Sequence, residues 1–351
     1  MSHARCHSIY CILPPHVMEH LTQSADAKIR RAAIAALASD AQARTLRSTL
    51  AMLPVMAAIP SPQSTKHRLV YDLQQKASWQ LPGKLVRSEG QGKISDPAVD
   101  EAYDGSGKVY DFYSKILGRN SLDDKGMSLI SSVHVGKSYN NAFWNGEQMA
   151  YGDGDNKLFQ RFTKSLDVIG HELTHGVITH TANLDYVNQS GALNEHFADV
   201  FGVLVKQWKK KQTAKKADWM IGREIMGPGV KARCLRIMTA DKAYENDAVL
   251  GTDPQPKHMD GFYSGQEDNG GVHINSGIPN FVFYQVAQAL GGYAWEKAGK
   301  IWYQTLLRLN RTSNFSECAK ATVESAERLY AGDSSVAKTV RVAWKNVGVT
   351  V

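Results

Sequence analysis

The spacing of apolar residues changes character near Phe159. Before it, short runs alternate between apolar and polar positions, at 67–73 (HRLVYDL) and less strictly at 129–135 (LISSVHV). A period of two predicts strands, and glycine-rich turns separate these runs. One helix is predicted in this half, at 98–117, where apolar and aromatic residues repeat every three or four positions. The first half is therefore predicted to be rich in β-structure.

After Phe159 the apolar spacing becomes helical. The predicted helices are 165–179, 192–209, 279–290, 295–309, 315–329 and 335–347. Within the fourth of them one apolar stripe has the spacing of a core face, formed by Trp295, Ile301, Trp302, Leu306 and Leu309. A β-rich half followed by a helical half predicts an α+β fold.

The first fifty residues have a pattern of their own. Pro14 and Pro15 forbid a helix through residues 11–16 and predict a short extended element there. Residues 26–53 are rich in alanine and lack glycine, which predicts one or two helices. The run 59–64 (IPSPQS) then resembles an exposed, cleavable linker. We expect an N-terminal segment at 1–52, a β-rich part at 53–186 and a helical part at 187–351.

Composition adds expectations about partners and location. The formal charge is +7, but the basic residues cluster only at 206–216 (KQWKKKQTAKK), which we interpret as a solvated helix end rather than a nucleic-acid site. No apolar run reaches the length of a membrane helix, and residues 1–15 lack the apolar core of a secretory signal. We therefore expect a cytoplasmic protein, with export by a route other than the general secretory pathway left open, and neither nucleic acid nor membrane as a partner. The cysteines are spread too widely for a disulfide framework: Cys6, Cys11, Cys234 and Cys318.

A candidate metal site lies in residues 166–177 (LDVIGHELTHGV). On a helix, His171 and His175 are one turn apart and can reach the same metal ion, with Glu172 at the edge of the site. By composition alone, an accidental HExxH pattern is expected in roughly a few per cent of such chains. The residues that follow must therefore supply the context.

A catalytic zinc ion needs three protein ligands. One known completion requires glycine and then histidine shortly after the second histidine, but Ile178 and Thr181 occupy those positions. The alternative is a carboxylate from the next helix, where Glu195 and Asp199 are four residues apart. One of them could bind the metal while the other holds the free nitrogen of a ligand histidine. Without a metal, Glu195 would be expected in an internal ion pair with His196 or an arginine.

From about residue 67 to the C-terminus, the sequence resembles the thermolysin family of metallopeptidases. The resemblance rests on five ordered motifs: Asn141-Ala142-Phe143-Trp144, the helix around 171–175, 191–195 with Asp199, Leu235-Arg236-Ile237-Met238 and 268–277 (DNGGVHINSG). Within the family it is most similar to the protealysin-like branch, whose short prosegment carries a Pro-Pro element. This implies a fold of two lobes with a zinc cleft between them, and a zinc endopeptidase acting on proteins and peptides.

The resemblance also implies individual roles at the metal. Zinc would be held by His171, His175 and Glu195, with Asp199 orienting His171. Glu172 would be the general base that takes a proton from the zinc-bound water and delivers it to the leaving amine.

The same resemblance implies further roles. Tyr186 and His273 would stabilise the oxyanion, with Asp268 hydrogen-bonded to His273; alone, Tyr186 would be interpreted as a core tyrosine and His273 as a loop histidine. The substrate backbone would contact Asn141, Ala142, Trp144 and Arg236. A pocket favouring cleavage before a hydrophobic residue would be lined by Phe159, Phe162, Val168, Ile221 and Leu235.

The sequence departs from the family where typical members bind a pair of calcium ions. Acids remain at Asp167, Asp199 and Asp218, but other residues occupy expected acidic positions: Lys206, Met220, Arg223 and, at another calcium site, Arg233. Cationic side chains offer no oxygen ligands. We predict that the paired calcium site is lost and that Lys206 and Arg223 form internal ion pairs instead.

Residues 1–52 are predicted to act as an intramolecular inhibitor that the enzyme cuts off between about residues 50 and 59. A rival mechanism is a cysteine switch, in which Cys6 or Cys11 occupies the open position of zinc. Two other functions remain possible from sequence: an aminopeptidase with related ligands, and a zinc-stabilised binding protein that uses 206–216 as its partner surface.

Overall fold

A computed structural model of the chain describes residues 10–31, 33–34, 37–38, 65–77 and 80–351. These residues form a mixed sheet with one long helix against it, followed by a helical half. The predicted α+β architecture is thereby confirmed. Among the described residues, none of the helices combines the length and the apolar character needed to cross a bilayer.

The main sheet has six strands in the order β1-β5-β6-β4-β2-β3. They are β1 (Tyr10–Cys11), β2 (Arg68–Asp72), β3 (Lys84–Ser88), β4 (Leu129–Val133), β5 (Ala142–Trp144) and β6 (Met149–Tyr151). β2–β4 and β4–β6 pair in parallel, and the other pairs are antiparallel. The predicted strands at 67–73 and 129–135 are confirmed as β2 and β4. The N-terminal segment supplies the edge strand beside β5.

Nine helices are defined with full bounds in the described part of the chain. They are α1 (Pro15–Thr22), α2 (Pro97–Leu117), α3 (Leu166–Thr179), α4 (Asn188–Lys210), α5 (Glu267–Asn275), α6 (Gly277–Leu290), α7 (Ala298–Leu306), α8 (Phe315–Leu329) and α9 (Ser334–Asn346). A second, two-stranded sheet joins β7 (Met220–Ile221) to β8 (Arg236–Ile237). All seven predicted helices at 98–117 and beyond Phe159 are present.

Some elements differ from the predictions. α7 is shorter than the predicted 295–309, and residues 294–297 form a turn before it, in which Trp295 stacks on Tyr293 with ring centroids 4.5 Å apart. α5 and the two-stranded sheet were not predicted. In α5, Asp268, Asn269 and two glycines have positive φ, and such residues are typical of a turn in sequence.

The metal-bearing helix α3 crosses α4 at very close range. A Cβ atom on Gly202 would lie 2.6 Å from the Asp167 carbonyl oxygen, and one on Gly170 would lie 3.0 Å from the Gly202 Cα. Only glycine allows this approach. On the other side α2 packs on α3, and the Tyr113 hydroxyl and Thr174 Oγ1 are 2.8 Å apart. This packing fixes where α3 and α4 present their polar side chains to each other.

The N-terminal segment docks through α1, whose buried face consists of Val17, Met18 and Leu21. Residues 27–31, 33–34 and 37–38 are helical, in agreement with the helix predicted from residue 26. The rest of that prediction, the linker at 59–64, the cleavage region at 50–59 and Cys6 lie outside the described residues.

Candidate active site

Three potential ligand atoms converge where α3 meets α4. His171 and His175 extend from one face of α3, and Glu195 reaches them from α4. The Nε2 atoms of the two histidines are 3.0 Å apart. Glu195 Oε2 lies 3.5 Å from His171 Nε2, and Glu195 Oε1 lies 3.4 Å from His175 Nε2. The three side chains are completely buried, and their atoms form a group able to hold a metal ion.

Their hydrogen bonds show that this group suits a cation. His171 Nδ1–H donates to Asp199 Oδ1, and His175 Nδ1–H donates to Asn194 Oδ1, each over 2.8 Å. Both Nε2 atoms therefore carry lone pairs that face each other. Glu195 Oε2 has no hydrogen-bond partner among the described residues. Two imidazoles and one carboxylate at this range are a donor set that fits zinc.

Asp199 anchors this arrangement from behind. Its carboxylate accepts from Arg236 Nη2 at 2.8 Å and Nε at 3.1 Å, in addition to His171. Burial opposes the charged carboxylate, but Arg236 and His171 hold the pKa of Asp199 far below its usual range. Asp199 therefore keeps the His171 proton on Nδ1 and the Nε2 lone pair directed at the ligand group.

Glu172 lies beside the ligands with one oxygen held. The Trp144 backbone N–H donates to its Oε2 at 3.0 Å, while Oε1 is buried and lacks a hydrogen-bond partner within the described ranges. Burial and the Glu195 carboxylate raise the pKa of Glu172 well above its usual range. A carboxylate with one restrained oxygen and one available oxygen is suited to proton transfer.

Tyr186 and His273 border the ligand group on its other side. The Tyr186 hydroxyl donates to Glu195 Oε1 and lies 3.2 Å from His273 Nε2. His273 Nδ1–H donates to Asp268 Oδ1 at 2.6 Å. Burial lowers the pKa of His273, but the Asp268 and Glu195 carboxylates outweigh it and raise the pKa to about 9. The pair can supply a hydroxyl and a charged imidazolium to a developing anion.

The backbone of the N-terminal segment occupies the groove beside these groups. The Cys11 carbonyl oxygen accepts from His273 Nε2–H at 3.0 Å, and the Ile12 carbonyl oxygen accepts from Arg236 Nη1 at 2.9 Å. The Ile12 N–H donates to the Ala142 carbonyl oxygen at 3.3 Å, and the Leu13 N–H donates to Asn141 Oδ1 at 3.2 Å. Pairing of Tyr10 with Trp144 and of Cys11 with Phe143 extends this contact as an antiparallel strand.

The structure brings the predicted site residues together to different degrees. The predicted metal ligands, the predicted acid–base residues and the residues predicted to contact the substrate backbone all lie in the site described above. The five predicted pocket residues are buried to 1% exposure or less within a continuous core: Phe159, Phe162, Val168, Ile221 and Leu235. Ile12 is also fully buried in that core.

Several polar residues of the site were missed in the sequence. Asn194 holds His175, and its position directly before Glu195 could have suggested this contact. Asn280 donates to Asp199 Oδ2 at 2.9 Å, and His16 Nε2 lies 3.1 Å from the Tyr244 hydroxyl. Asn280 and Tyr244 carry no local pattern, because only the tertiary fold brings them to the site.

At the position of the expected calcium pair, the structure has an ammonium group. Lys206 is 2% exposed, and its Nζ lies 2.8 Å from Asp167 Oδ2 and 3.4 Å from Asp218 Oδ2, and donates to the Met220 carbonyl. Burial lowers the pKa of Lys206, but the two carboxylates outweigh it and raise the pKa. The predicted ion pair at Arg223 is wrong, because that side chain is exposed in a short helical turn and has no ion pair among the described residues.

Comparison with known proteins agrees with this site. The chain matches the model of the thermolysin metallopeptidase catalytic domain over residues 61–179, and that of the alpha-helical domain over residues 182–349. It is 50% identical over 292 residues to an extracellular metalloprotease of Pectobacterium carotovorum subsp. carotovorum, which is 83% of each chain. It is 54% identical over 292 residues to protease PrtS of Photorhabdus sp. (strain Az29), which is 82% of this chain and 77% of that one.

A solved structure is similar over almost the whole length. It is the precursor of protealysin, a metalloproteinase from Serratia proteamaculans, with a TM-score of 0.87 and 45% sequence identity, covering 97% of this chain and 100% of that one. The chain therefore belongs to the thermolysin family of metallopeptidases. It is a metalloendopeptidase of that zinc-dependent family, and its similarity to a protealysin precursor supports a zymogen form.

The predicted cytoplasmic location is wrong. The relative from Pectobacterium, half of whose aligned residues are identical to this chain, is an extracellular enzyme. The prediction relied on the composition of residues 1–15 and on scattered cysteines. The extracellular relative outweighs both features.

Proposed function

We propose that the chain is the precursor of a zinc endopeptidase that acts outside the cell. His171, His175 and Glu195 hold the zinc ion, and Glu172 is the general base. Residues 1–52 form the prosegment, 53–186 the β-rich lobe and 187–351 the helical lobe. The observation that carries this proposal is the convergence of three buried ligand atoms beside Glu172, in the groove where the prosegment backbone lies.

The chemistry follows from the positions of these side chains. When bound, zinc acts as a Lewis acid that acidifies water and polarises the scissile carbonyl. Glu172 accepts a proton from the attacking water and passes it to the leaving amine as the C–N bond breaks. Tyr186 and His273 donate hydrogen bonds to the oxyanion, and Asp268 keeps His273 oriented and charged. Arg236, Asn141 and Ala142 bind the peptide backbone on the leaving-group side, and Trp144 presents main-chain groups to it.

The prosegment would inhibit by binding as a substrate does. Its Cys11 carbonyl takes the His273 hydrogen bond that a scissile carbonyl would use. The N–H of the next residue, Ile12, donates to the Ala142 carbonyl oxygen of β5 at 3.3 Å. Strand addition gives affinity through main-chain hydrogen bonds. This mode of binding supports direct competition between prosegment and substrate.

This binding mode argues against the cysteine switch for Cys11. The backbone carbonyl of Cys11 makes the contact with His273, whereas the three candidate ligand atoms come from His171, His175 and Glu195. Self-cleavage between residues 50 and 59 stays a prediction, because that region and Cys6 are outside the described ranges.

The same binding mode supports the proposed specificity. Ile12 follows the carbonyl that faces His273, so its side chain holds the position directly after the scissile bond. It is completely buried. Burial of an isoleucine there favours substrates cut before a hydrophobic residue, received by Phe159, Phe162, Val168, Ile221 and Leu235.

We also propose that the paired calcium site is lost. Calcium requires six to eight oxygen ligands. Lys206 instead places one positive charge between Asp167 and Asp218 and binds the Met220 carbonyl. The ammonium neutralises the acids that would otherwise bind the cation.

The wild type and one variant, Glu172→Ala, test the proposed function. Wild-type protein should contain one zinc ion per chain, hydrolyse casein, and lose that activity to a zinc chelator. Glu172→Ala should retain zinc but neither hydrolyse casein nor mature. Zinc without hydrolysis would favour the binding protein, and cuts confined to peptide N-termini would favour the aminopeptidase.

A further inference from the structure

Behind the proposed metal ligands, a line of buried polar side chains runs from Asp199 into the helical half. Asn280 Nδ2–H donates to Asp199 Oδ2 at 2.9 Å, and His196 Nδ1 lies 2.8 Å from Asn280 Oδ1. His196 Nε2 lies 2.7 Å from Trp302 Nε1. All four side chains are completely buried. They connect α4, which carries Glu195, to α6 and α7.

The two ends of this line fix the direction of every hydrogen bond in it. An indole N–H can only donate, and a carboxylate can only accept. Asn280 must therefore turn its NH2 group to Asp199 and its oxygen to His196. His196 must accept from Trp302 at Nε2 and carry its single proton on Nδ1. Only one neutral tautomer satisfies both neighbours.

The direction of these hydrogen bonds affects the Asp199 carboxylate that orients His171. Asn280 and Arg236 Nε both donate to Asp199 Oδ2, while Oδ1 faces His171 Nδ1 and also accepts from Arg236 Nη2. Rotation of the carboxylate would change the orientation of the His171 ring. A misoriented Asn280 would place its oxygen against Oδ2 and repel it. In that orientation Asn280 would donate to His196 Nδ1, so His196 would have to carry its proton on Nε2. The indole N–H of Trp302 donates to Nε2 and therefore excludes that tautomer.

We propose that Trp302 and His196 are positioning residues for His171, because they fix the orientation of Asn280 and, through it, of the Asp199 carboxylate. The inference rests on the proposed role of His171 as a zinc ligand. It assigns a role to Trp302, which the sequence pattern alone placed in the apolar core.

The chain offers a matched control for a purely structural effect. Trp344 is also completely buried, and its Nε1–H donates to Thr322 Oγ1 at 2.8 Å. That bond joins α9 to α8, and neither residue is among those of the candidate site. Replacing either tryptophan by phenylalanine removes one buried indole donor and a similar volume. Only Trp302→Phe should affect the metal.

The experiment compares Trp302→Phe, Trp344→Phe and wild type as full-length chains. Zinc affinity is measured by chelator competition with metal analysis, and kcat and KM are measured on the active enzyme from each chain. Both variants should melt at lower temperature. For Trp302→Phe we expect about tenfold weaker zinc binding and about tenfold lower kcat with unchanged KM, at the low end for groups that orient metal ligands. For Trp344→Phe all three values should match wild type.

Equal zinc affinity and equal kcat in the two variants would overturn the inference, because the Trp302 donor would then be only structural. A wild-type chain that binds no zinc would instead overturn the proposed function and the inference with it. If Trp302→Phe does not fold, nitrogen NMR of the wild-type chain decides. His196 should carry its proton on Nδ1 with Nε2 unprotonated, and the opposite tautomer would refute the proposal.

Discussion

Arg236 holds Asp199 and the prosegment at the same time. Its Nη2 and Nε donate to the Asp199 carboxylate, and its Nη1 donates to the Ile12 carbonyl oxygen at 2.9 Å. The side chain is completely buried apart from 2% of its surface. One guanidinium therefore couples the orientation of a proposed metal ligand to the binding of backbone in the groove.

This coupling predicts the effect of Arg236→Lys. Lysine keeps the charge but cannot make the forked contact with Asp199 and also reach the Ile12 carbonyl. We expect kcat/KM for peptide substrates to fall about 10- to 100-fold. The prosegment should also be held less firmly, seen as faster hydrogen exchange in α1 in a Glu172→Ala background. Normal exchange in α1 together with normal kcat/KM would contradict the coupling.

Tyr186→Phe isolates the hydroxyl that faces the proposed oxyanion. The ring is retained, but the donor beside His273 is lost. Loss of one such donor should lower kcat about 10²- to 10³-fold, with KM nearly unchanged. Steady-state kinetics with one peptide substrate measure this. The control is Tyr110→Phe, which removes a tyrosine hydroxyl that contacts Asn120, away from the ligand group, and should leave kcat unchanged.

The metal ligands could be predicted from sequence because they are local. His171 and His175 are one helical turn apart, and Glu195 lies in the next helix only twenty residues later, so short-range periodicity is sufficient to place them. The α+β division was predictable for the same reason. Residues whose roles depend on long-range packing were not predictable, such as Asn280 and Tyr244.

Three differences from the sequence predictions have specific physical causes. Arg223 was expected to form an internal ion pair because it stands where a calcium-binding acid was expected, but its side chain is exposed in a short helical turn, where water solvates the charge. α5 was missed because its left-handed residues, including Asp268 and Gly270, are typical of turns. The extended element predicted at 11–16 overlaps β1 only at Cys11, and α1 begins inside it, because proline is well tolerated as the first residue of a helix.

Lys206→Met tests the proposed replacement of calcium. The variant keeps an unbranched side chain but leaves Asp167, which is 1% exposed, and Asp218 without their ammonium partner. Removing one partner of a buried ion pair should cost about 3–5 kcal/mol in the free energy of unfolding, measured by urea titration. Lys210→Met is the control, because its ion pair with Glu224 is exposed and should contribute less than about 1 kcal/mol. Excess calcium should not raise the melting temperature of the wild type; a clear rise would show that the site still binds calcium.

The burial of the His16 ring predicts that the prosegment docks less tightly in acid. The ring contacts the Tyr244 hydroxyl through Nε2, and its Nδ1 is buried without a hydrogen-bond partner in the described part of the chain. Burial lowers the pKa of His16 from 6.5 to about 4, with His273, Arg236 and His20 adding to the effect and Asp268 opposing it.

The lowered pKa of His16 determines how prosegment docking changes with pH. The docked prosegment keeps His16 neutral, whereas the released segment takes up a proton near pH 6.5, so docking is strongest above that pH and weakens as the pH falls towards 4. The full shift of about 2.5 pKa units corresponds to roughly a 300-fold change in the docking equilibrium. Hydrogen exchange in α1 of Glu172→Ala protein, corrected for intrinsic rates, should show this loss of protection. His16→Phe cannot titrate and should remove most of the pH dependence, whereas replacing the exposed His20 by Phe should retain it. An unchanged pH dependence in His16→Phe would assign the acid sensitivity to another group.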